Sequence, residues 1–411
     1  MMVNSFDEWS SLKEVVVGSP INYSTQDLEL SFKVFFHDVA YSAFCYPYYN
    51  SREENSGNGH GNGNGNGNAV YQSSPYQSNS QGIQTATQTA TQTISTHTLK
   101  KQYLEELNED VEELVTTLQQ LGVKVHRPLP LTRPIRFETP YWKADCIPAL
   151  NVRDQAIIMG DEILETPPQV RARYFENDLL KPVFYEYFNG GAKWTNMPKP
   201  IMTDRSFDTS YISGQNVPAM QEVYPQNESE FDIGHEMMFD AAQCIRFGKD
   251  ILINVATKNH YLAYQWLQRH FEGKFKFHML YQFADNHIDS IILPLKPGKL
   301  LLRNPQFLDR LPEPLQKWDI IYPPEPTENI FPTYEDDDLI LTTKYIDLNV
   351  LSVDEDKIIV NSLFPELIKT LEKHGFTPIP VRHRHRRIFG GGFHCFTLDT
   401  VREGSLEDYF S

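Results

Sequence analysis

Short apolar runs recur along the chain, each closed by a polar turn. Leu12-Lys13-Glu14-Val15-Val16-Val17 carries three β-branched valines and is stopped by Gly18-Ser19-Pro20, which predicts a buried strand ending in a turn. Gln155 to Gly160, Asp250 to Asn254, Phe275 to Leu280, Lys299 to Leu302 and Lys357 to Val360 read the same way. Between them the period changes. Leu104, Leu107, Val111, Leu114, Leu118 and Leu121 fall at three- and four-residue steps, which predicts one face of a helix. Gly122 is placed to end it, and Val123-Lys124-Val125 opens a strand. Further helices are predicted around Tyr261 to Phe271 and Leu363 to His374, the second ended by Gly375. In the apolar stretch Phe376 to Val381, Pro378 and Pro380 predict a strand edge and not a central strand. Strands alternating with helices define an α/β class. Uneven repeats of one such unit also permit a closed ring or propeller, and the period does not choose between a ring and an open sheet.

Residues 51–98 break the pattern with Gly-Asn repeats (Gly57 to Asn68) and a Gln-Thr-Ala-Thr repeat (Gln84 to Thr93). Such composition buries almost nothing and cannot offset its ordering entropy, so a flexible insertion within a domain is expected. The remaining length, out of 411 residues, is enough for a large core. The four cysteines (Cys45, Cys146, Cys244, Cys395) are scattered with no CxxC pair, against a disulfide framework and against a zinc site. The N-terminus does not read as a secretory signal, and no apolar run approaches the ~20 residues that span a bilayer. A protein of a reducing compartment, the cytoplasm, is expected. The net charge of −17 argues against nucleic acid as a partner and suits a cationic small molecule.

Candidate chemistry concentrates in Arg386-Arg387-Ile388-Phe389-Gly390-Gly391-Gly392-Phe393-His394-Cys395-Phe396-Thr397. Three glycines allow a tight bend or a close approach to a ligand. The single thiol that follows is a candidate nucleophile, although a lone cysteine among aromatics also describes a buried structural residue. Asp154 precedes the Gln155 strand, and Asp240 precedes the Asp250 strand. His287 and Asp289 are two apart, so an extended backbone would turn both to one face. An imidazole beside a carboxylate is held in one tautomer and serves as acid and base near neutral pH. Several carboxylates on one pocket suit a guanidinium or ammonium substrate. A metal site from His235, His287 and Asp289 lacks an HExxH motif and a close ligand pair on a helix. The basic run Arg382 to Arg387, with His383 and His385, reads as a solvated strand edge or as a contact to an anionic substrate group.

From Val3 to Phe410, apart from the 51–98 insertion, the chain resembles the amidinotransferase family, which includes the arginine:glycine and inosamine-phosphate enzymes. The resemblance rests on Asn4-Ser5-Phe6-Asp7-Glu8-Trp9 and Leu12 to Gly18. It continues through Arg173-Tyr174-Phe175-Glu176, Gly191-Ala192-Lys193-Trp194-Thr195 and Pro198-Lys199-Pro200. Phe239-Asp240-Ala241-Ala242, His287-Ile288-Asp289 and Gly390 to Cys395 complete it. It implies a single catalytic domain over 1–411, folded as a five-bladed α/β propeller of ββαβ units around a central channel. It also implies chemistry without metal or cofactor, and commonly a homodimer. Cys395 would attack the guanidinium carbon of L-arginine, releasing ornithine and leaving an amidino-cysteine that an acceptor amine resolves. His287 would move the protons, and Asp240 would orient it or grip the guanidinium. Asp154 and Asp289 match donor-holding carboxylates, and Thr342-Thr343-Lys344 falls where the glycine-using enzymes carry Ser-Ser-Lys. After Asn304-Pro305 the family's donor-binding arginine is missing, and Arg303 or Arg310 are the substitutes at hand. Before His287 only Asp285-Asn286 stands where the glycine-using enzymes have a longer segment, as in the inosamine-phosphate branch. A shorter loop there is expected to admit an acceptor larger than glycine, in secondary metabolism such as saxitoxin- or cylindrospermopsin-type or aminocyclitol pathways. A guanidine hydrolase of the same superfamily would share the thiol, the imidazole and the carboxylate, with water replacing the amine.

Overall fold

The computed structural model describes residues 2–24, 26–27, 29–36, 99–210, 229–334 and 340–411. The expected 51–98 insertion and Cys45 lie outside them. Among the described residues the chain repeats one α/β unit. An antiparallel strand pair leads into a helix, and a third strand then pairs parallel to the second, giving five three-stranded sheets of the same order. One unit joins the two ends of the chain. Thr397–Arg402 lies antiparallel to Leu12–Val17, and helix Lys101–Gln120 connects that strand to Lys124–His126. The next runs Ala156–Met159, Glu162–Glu165, helix Lys181–Asn189 and Lys193–Asn196. Then come Cys244–Phe247, Asp250–Val255, helix Lys258–His270 and Lys276–Tyr281. Ile292–Lys296, Lys299–Leu302, the single turn Glu313–Gln316 and Asp319–Ile321 form the fourth. The last is Leu351–Ser352, Lys357–Asn361, helix Pro365–Lys373 and Thr377–Val381. A two-stranded ribbon, Arg136–Glu138 with Lys143–Asp145, stands apart.

Burial explains the pattern. All six residues of Asp250–Val255 are buried, as a strand covered on both faces requires. Thr377–Val381 sits at the edge of its sheet, where Pro378 and Pro380 remove no ladder bond from a central strand. Helix Lys101–Gln120 buries Leu107, Val111, Leu114 and Leu118 as the period predicts, with Tyr103 and Val115 added. Gly122 ends it in the left-handed conformation (φ 83°). The helix also explains the basic run. Asp110 accepts from Arg382 and Arg384, and Glu106 pairs with His385, so these side chains dock the helix. None of the helices among the described residues is long and apolar enough to cross a membrane.

A buried ionic cluster ties the units together. Arg246 reaches Glu8 Oε2 and Asp399 Oδ2 at 2.7 Å each, and donates to Ser5 Oγ (2.7 Å) and the carbonyl of Ile158 (2.9 Å). Arg402 and Arg153 close on the same Asp399 at 2.7 Å each. Arg246→Met would strip buried Glu8 of its two short arginine bonds and leave Asp399 with two of its three arginines. It should cost about 3–5 kcal/mol, measured by chemical denaturation. A loss within the error of a surface substitution would show that the cluster does not hold the sheets.

Candidate active site

The candidate residues come from the segments that lead into the first strand of each sheet. Asp154 lies in the single turn Val152–Gln155, immediately before Ala156–Met159. Asp240 caps the turn Ala241–Gln243 before Cys244–Phe247, and the Gln243 side chain accepts the Asp240 N–H in return. His287 and Asp289 sit in the loop before Ile292–Lys296, a loop held because Asn254 donates to the carbonyls of Ala284 and Asn286. Thr342 and Thr343 precede Leu351–Ser352, and Cys395 precedes Thr397–Arg402. The glycines before Cys395 are steric necessities. A Cβ on Gly391 would lie 2.2 Å from Asn151 Oδ1, and one on Gly392 2.7 Å from Asn349 Cβ.

These segments converge. A nitrogen of His287, a carboxylate oxygen of Asp154 and the sulfur of Cys395 all lie within 4.8 Å of one another. His287 Nε2 is 2.9 Å from Asp240 Oδ2, and Gln155 donates to the other oxygen of Asp240 at 3.1 Å. That leaves Nδ1 on the Asp154 side, 3.7 Å from Asp154 Oδ1. Arg173 balances the carboxylates. It reaches Asp154 at 2.6 Å and grips Glu176 through two bonds, with Asp240 at 3.9 Å. Asp154 Oδ1 remains buried with no hydrogen-bond partner. A cavity of about 330 Å³ opens above this cluster, with Asp154, His287, Arg303, Thr342 and Thr343 in its walls.

Burial works against the His287 cation, but the charge of Asp154 and the hydrogen bond and charge of Asp240 outweigh it, raising its pKa to about 9. Burial lifts Asp240 as well, and the bond to His287 more than reverses this, leaving it below the usual carboxylate range. Burial pushes the Cys395 thiol well up, and the negative charges of Asp289 and Asp154 add to it. The resting site is therefore a neutral thiol beside an imidazolium.

The pairing expected from spacing is not the one formed. Asp240, and not Asp289, holds the imidazole of His287. Asp289 is 2.8 Å from His394 and accepts from the Cys395 thiol at 3.3 Å. His235 is exposed, while Asp289 is buried, and neither belongs to the cluster of three. Arg303 lies in the cavity wall, bonded to Ser290 and 4.8 Å over the ring of Tyr345. Arg310 instead donates to the carbonyls of Tyr281 and Gln282. Arg173 and His394 stand within the longer motifs with no role legible there, because Asp154, which Arg173 balances, and the two carboxylates that His394 spans come from other segments.

No protein-family model matches the chain. It is 35% identical over 312 residues to the L-arginine:L-lysine amidinotransferase of Pseudomonas savastanoi pv. phaseolicola, covering 75% of this chain and 82% of that protein. The inosamine-phosphate amidinotransferase structure from Streptomyces griseus superposes with a TM-score of 0.74 at 28% identity, over 100% of this chain and 99% of that one. An amidinotransferase of the saxitoxin biosynthetic pathway from Microseira wollei superposes with a TM-score of 0.72 at 31% identity, over 99% of each chain. The repeated α/β unit and the relatives on which the whole chain superposes define an α/β enzyme of group transfer. The chain belongs to the amidinotransferase family, enzymes that transfer amidino groups.

Proposed function

We propose that this enzyme moves the amidino group of L-arginine to a primary amine through an amidino-cysteine on Cys395, giving ornithine and a guanidino product. The observation that carries this reading is the orphaned Asp154 Oδ1, 3.7 Å from the imidazole, on a carboxylate with an oxygen within 4.8 Å of the thiol. A guanidinium N–H donated to that oxygen would bring the guanidinium carbon beside Cys395. As the cation arrives the thiol proton passes to Asp289 Oδ2, which accepts its hydrogen bond, sulfur bonds to carbon, and the C–N bond to ornithine breaks. His287 hands the leaving amine its own proton and is left neutral. In the second half the acceptor amine attacks the same carbon and gives a proton back to His287, and the sulfur leaves and recovers its hydrogen from Asp289, restoring the free thiol. Thr342, Thr343 and Arg303 line the approach, where Arg303 would meet the donor carboxylate.

The five units of one order support their closure into a five-bladed propeller, with the cavity as its channel. The short Asp285-Asn286 segment on the cavity wall supports an acceptor larger than glycine, in natural-product biosynthesis. The test is mass spectrometry of the protein after brief mixing with L-arginine and no acceptor. An amidino group on the Cys395 peptide with ornithine released is the expected result. Citrulline formed without any amine would move the enzyme to the guanidine hydrolases. The absence of both adduct and ornithine would overturn L-arginine as the donor.

A further inference from the structure

The imidazole of His394 is not accounted for by the transfer chemistry. Its backbone is fixed without it: its N–H donates to the carbonyl of Asn349, and its carbonyl accepts from Arg153 Nε at 2.8 Å. The buried ring spans two carboxylates, with Nδ1 2.8 Å from Asp289 Oδ2 and Nε2 3.3 Å from Glu8 Oε2. Glu8 is immobilised by Arg246, which reaches its two oxygens at 2.8 and 2.7 Å. At the other end, Asp289 Oδ2 is the same oxygen that accepts the Cys395 thiol. A rigid line therefore runs from the ionic cluster between the sheets to the reacting sulfur.

We propose that His394 is a positioning residue: clamped by Glu8, it holds the Asp289 carboxylate ionised and aimed at the Cys395 sulfur, where the donor guanidinium has to arrive. A buried carboxylate left alone favours its proton. Burial does push Asp289 toward the acid form, and the hydrogen bond and charge of His394, with the charge of His287, bring it below its ordinary value. The groups around Asp289 are His287 on its own loop, His394 and Cys395 on the segment before the last strand, Glu8 and Arg153 behind His394, and Asp154 beside the thiol. His394 is the imidazole bonded directly to it among the described residues. Without the imidazole, Asp289 would take up a proton at higher pH and lose its aim.

The inference rests on the amidino-transfer reading, so its test has an arm that needs no substrate. The carboxyl carbon of Asp289, followed by NMR in protein carrying [4-13C]aspartate and assigned with Asp289→Asn, titrates on its own. In His394→Ala it should titrate ~1 pH unit or more above wild type. His394→Asn keeps an N–H close to the position of Nδ1 and should restore most of the wild-type behaviour. His394→Gln, which reaches toward Glu8 instead, should not. In the kinetic arm, the donor KM should rise roughly tenfold or more in the Ala and Gln variants, with the acid limb of kcat/KM moved to higher pH. An Asp289 titration identical in wild type and His394→Ala would overturn the proposal. So would Asn and Gln variants with equal losses. A wild-type protein that yields no ornithine while Asp289 still responds to His394 would instead overturn the donor assignment and leave the positioning role standing.

Discussion

Cys395→Ala should abolish both half-reactions, with no ornithine from L-arginine and no amidino adduct. Removing the nucleophile of a covalent mechanism costs on the order of 10⁶-fold in kcat. The substitution leaves the frame intact, because the Cys395 N–H is held by Asn349 Oδ1 at 2.9 Å, independently of the sulfur. The thiol itself needs activation. Burial and the charges of Asp289 and Asp154 keep it protonated at rest, and only the thiolate attacks. A guanidinium seated between those carboxylates cancels the charges that hold the proton, so the donor switches on its own nucleophile. Alkylation of Cys395 by iodoacetamide should accordingly be slow in the free enzyme at neutral pH. Turnover by Cys395→Ala within about tenfold of wild type would remove the thiol from the mechanism.

The legible parts of this chain were those where one physical demand acts on neighbours in sequence. A helix that packs one face shows its period, as in Lys101–Gln120, and a strand buried on both faces shows an apolar run, as in Asp250–Val255. Cys244–Phe247 and Thr397–Arg402 escaped because Arg246, Asp399 and Arg402 interrupt the apolar pattern. Arg246 and Asp399 neutralise each other across 153 residues, a pairing that no local window contains. The fivefold repetition was blurred because its crossover helices range from twenty residues to four. The site was legible through resemblance more than through spacing. His287 and Asp289 stand two apart, yet the carboxylate that orients the imidazole is 47 residues away, in the turn entering another sheet. Arg173 meets Asp154 across 19 residues, and Glu8 meets His394 across 386. Such residues acquire a role only when the loops entering different sheets are brought to one place.

His287→Ala should reduce kcat by roughly 10²–10⁴-fold, the usual cost of losing a general acid–base. Ornithine is a poor leaving group as an amide-like anion, so the C–N bond must be protonated as it breaks. Asp154 and Asp240 keep His287 protonated up to about pH 9, so the acid is in place throughout the neutral range. The sign of the pH dependence follows. kcat/KM for the donor should hold from neutral pH to about 9 and fall as His287 loses its proton above it, and His287→Ala should remove that alkaline limb. Asp240→Asn should move the limb to lower pH, because the Asp240 bond and charge both raise the imidazole pKa. Asp240→Asn leaves the ring a hydrogen-bonding partner but not a charge, so it separates orientation from electrostatics. If the limb stayed in His287→Ala, another group would be the acid, and Arg173, whose pKa burial lowers but Glu176 and Asp154 raise well above the ordinary range, would not titrate there. The pH profile of the two variants therefore assigns the proton donor even where the loss in rate alone does not.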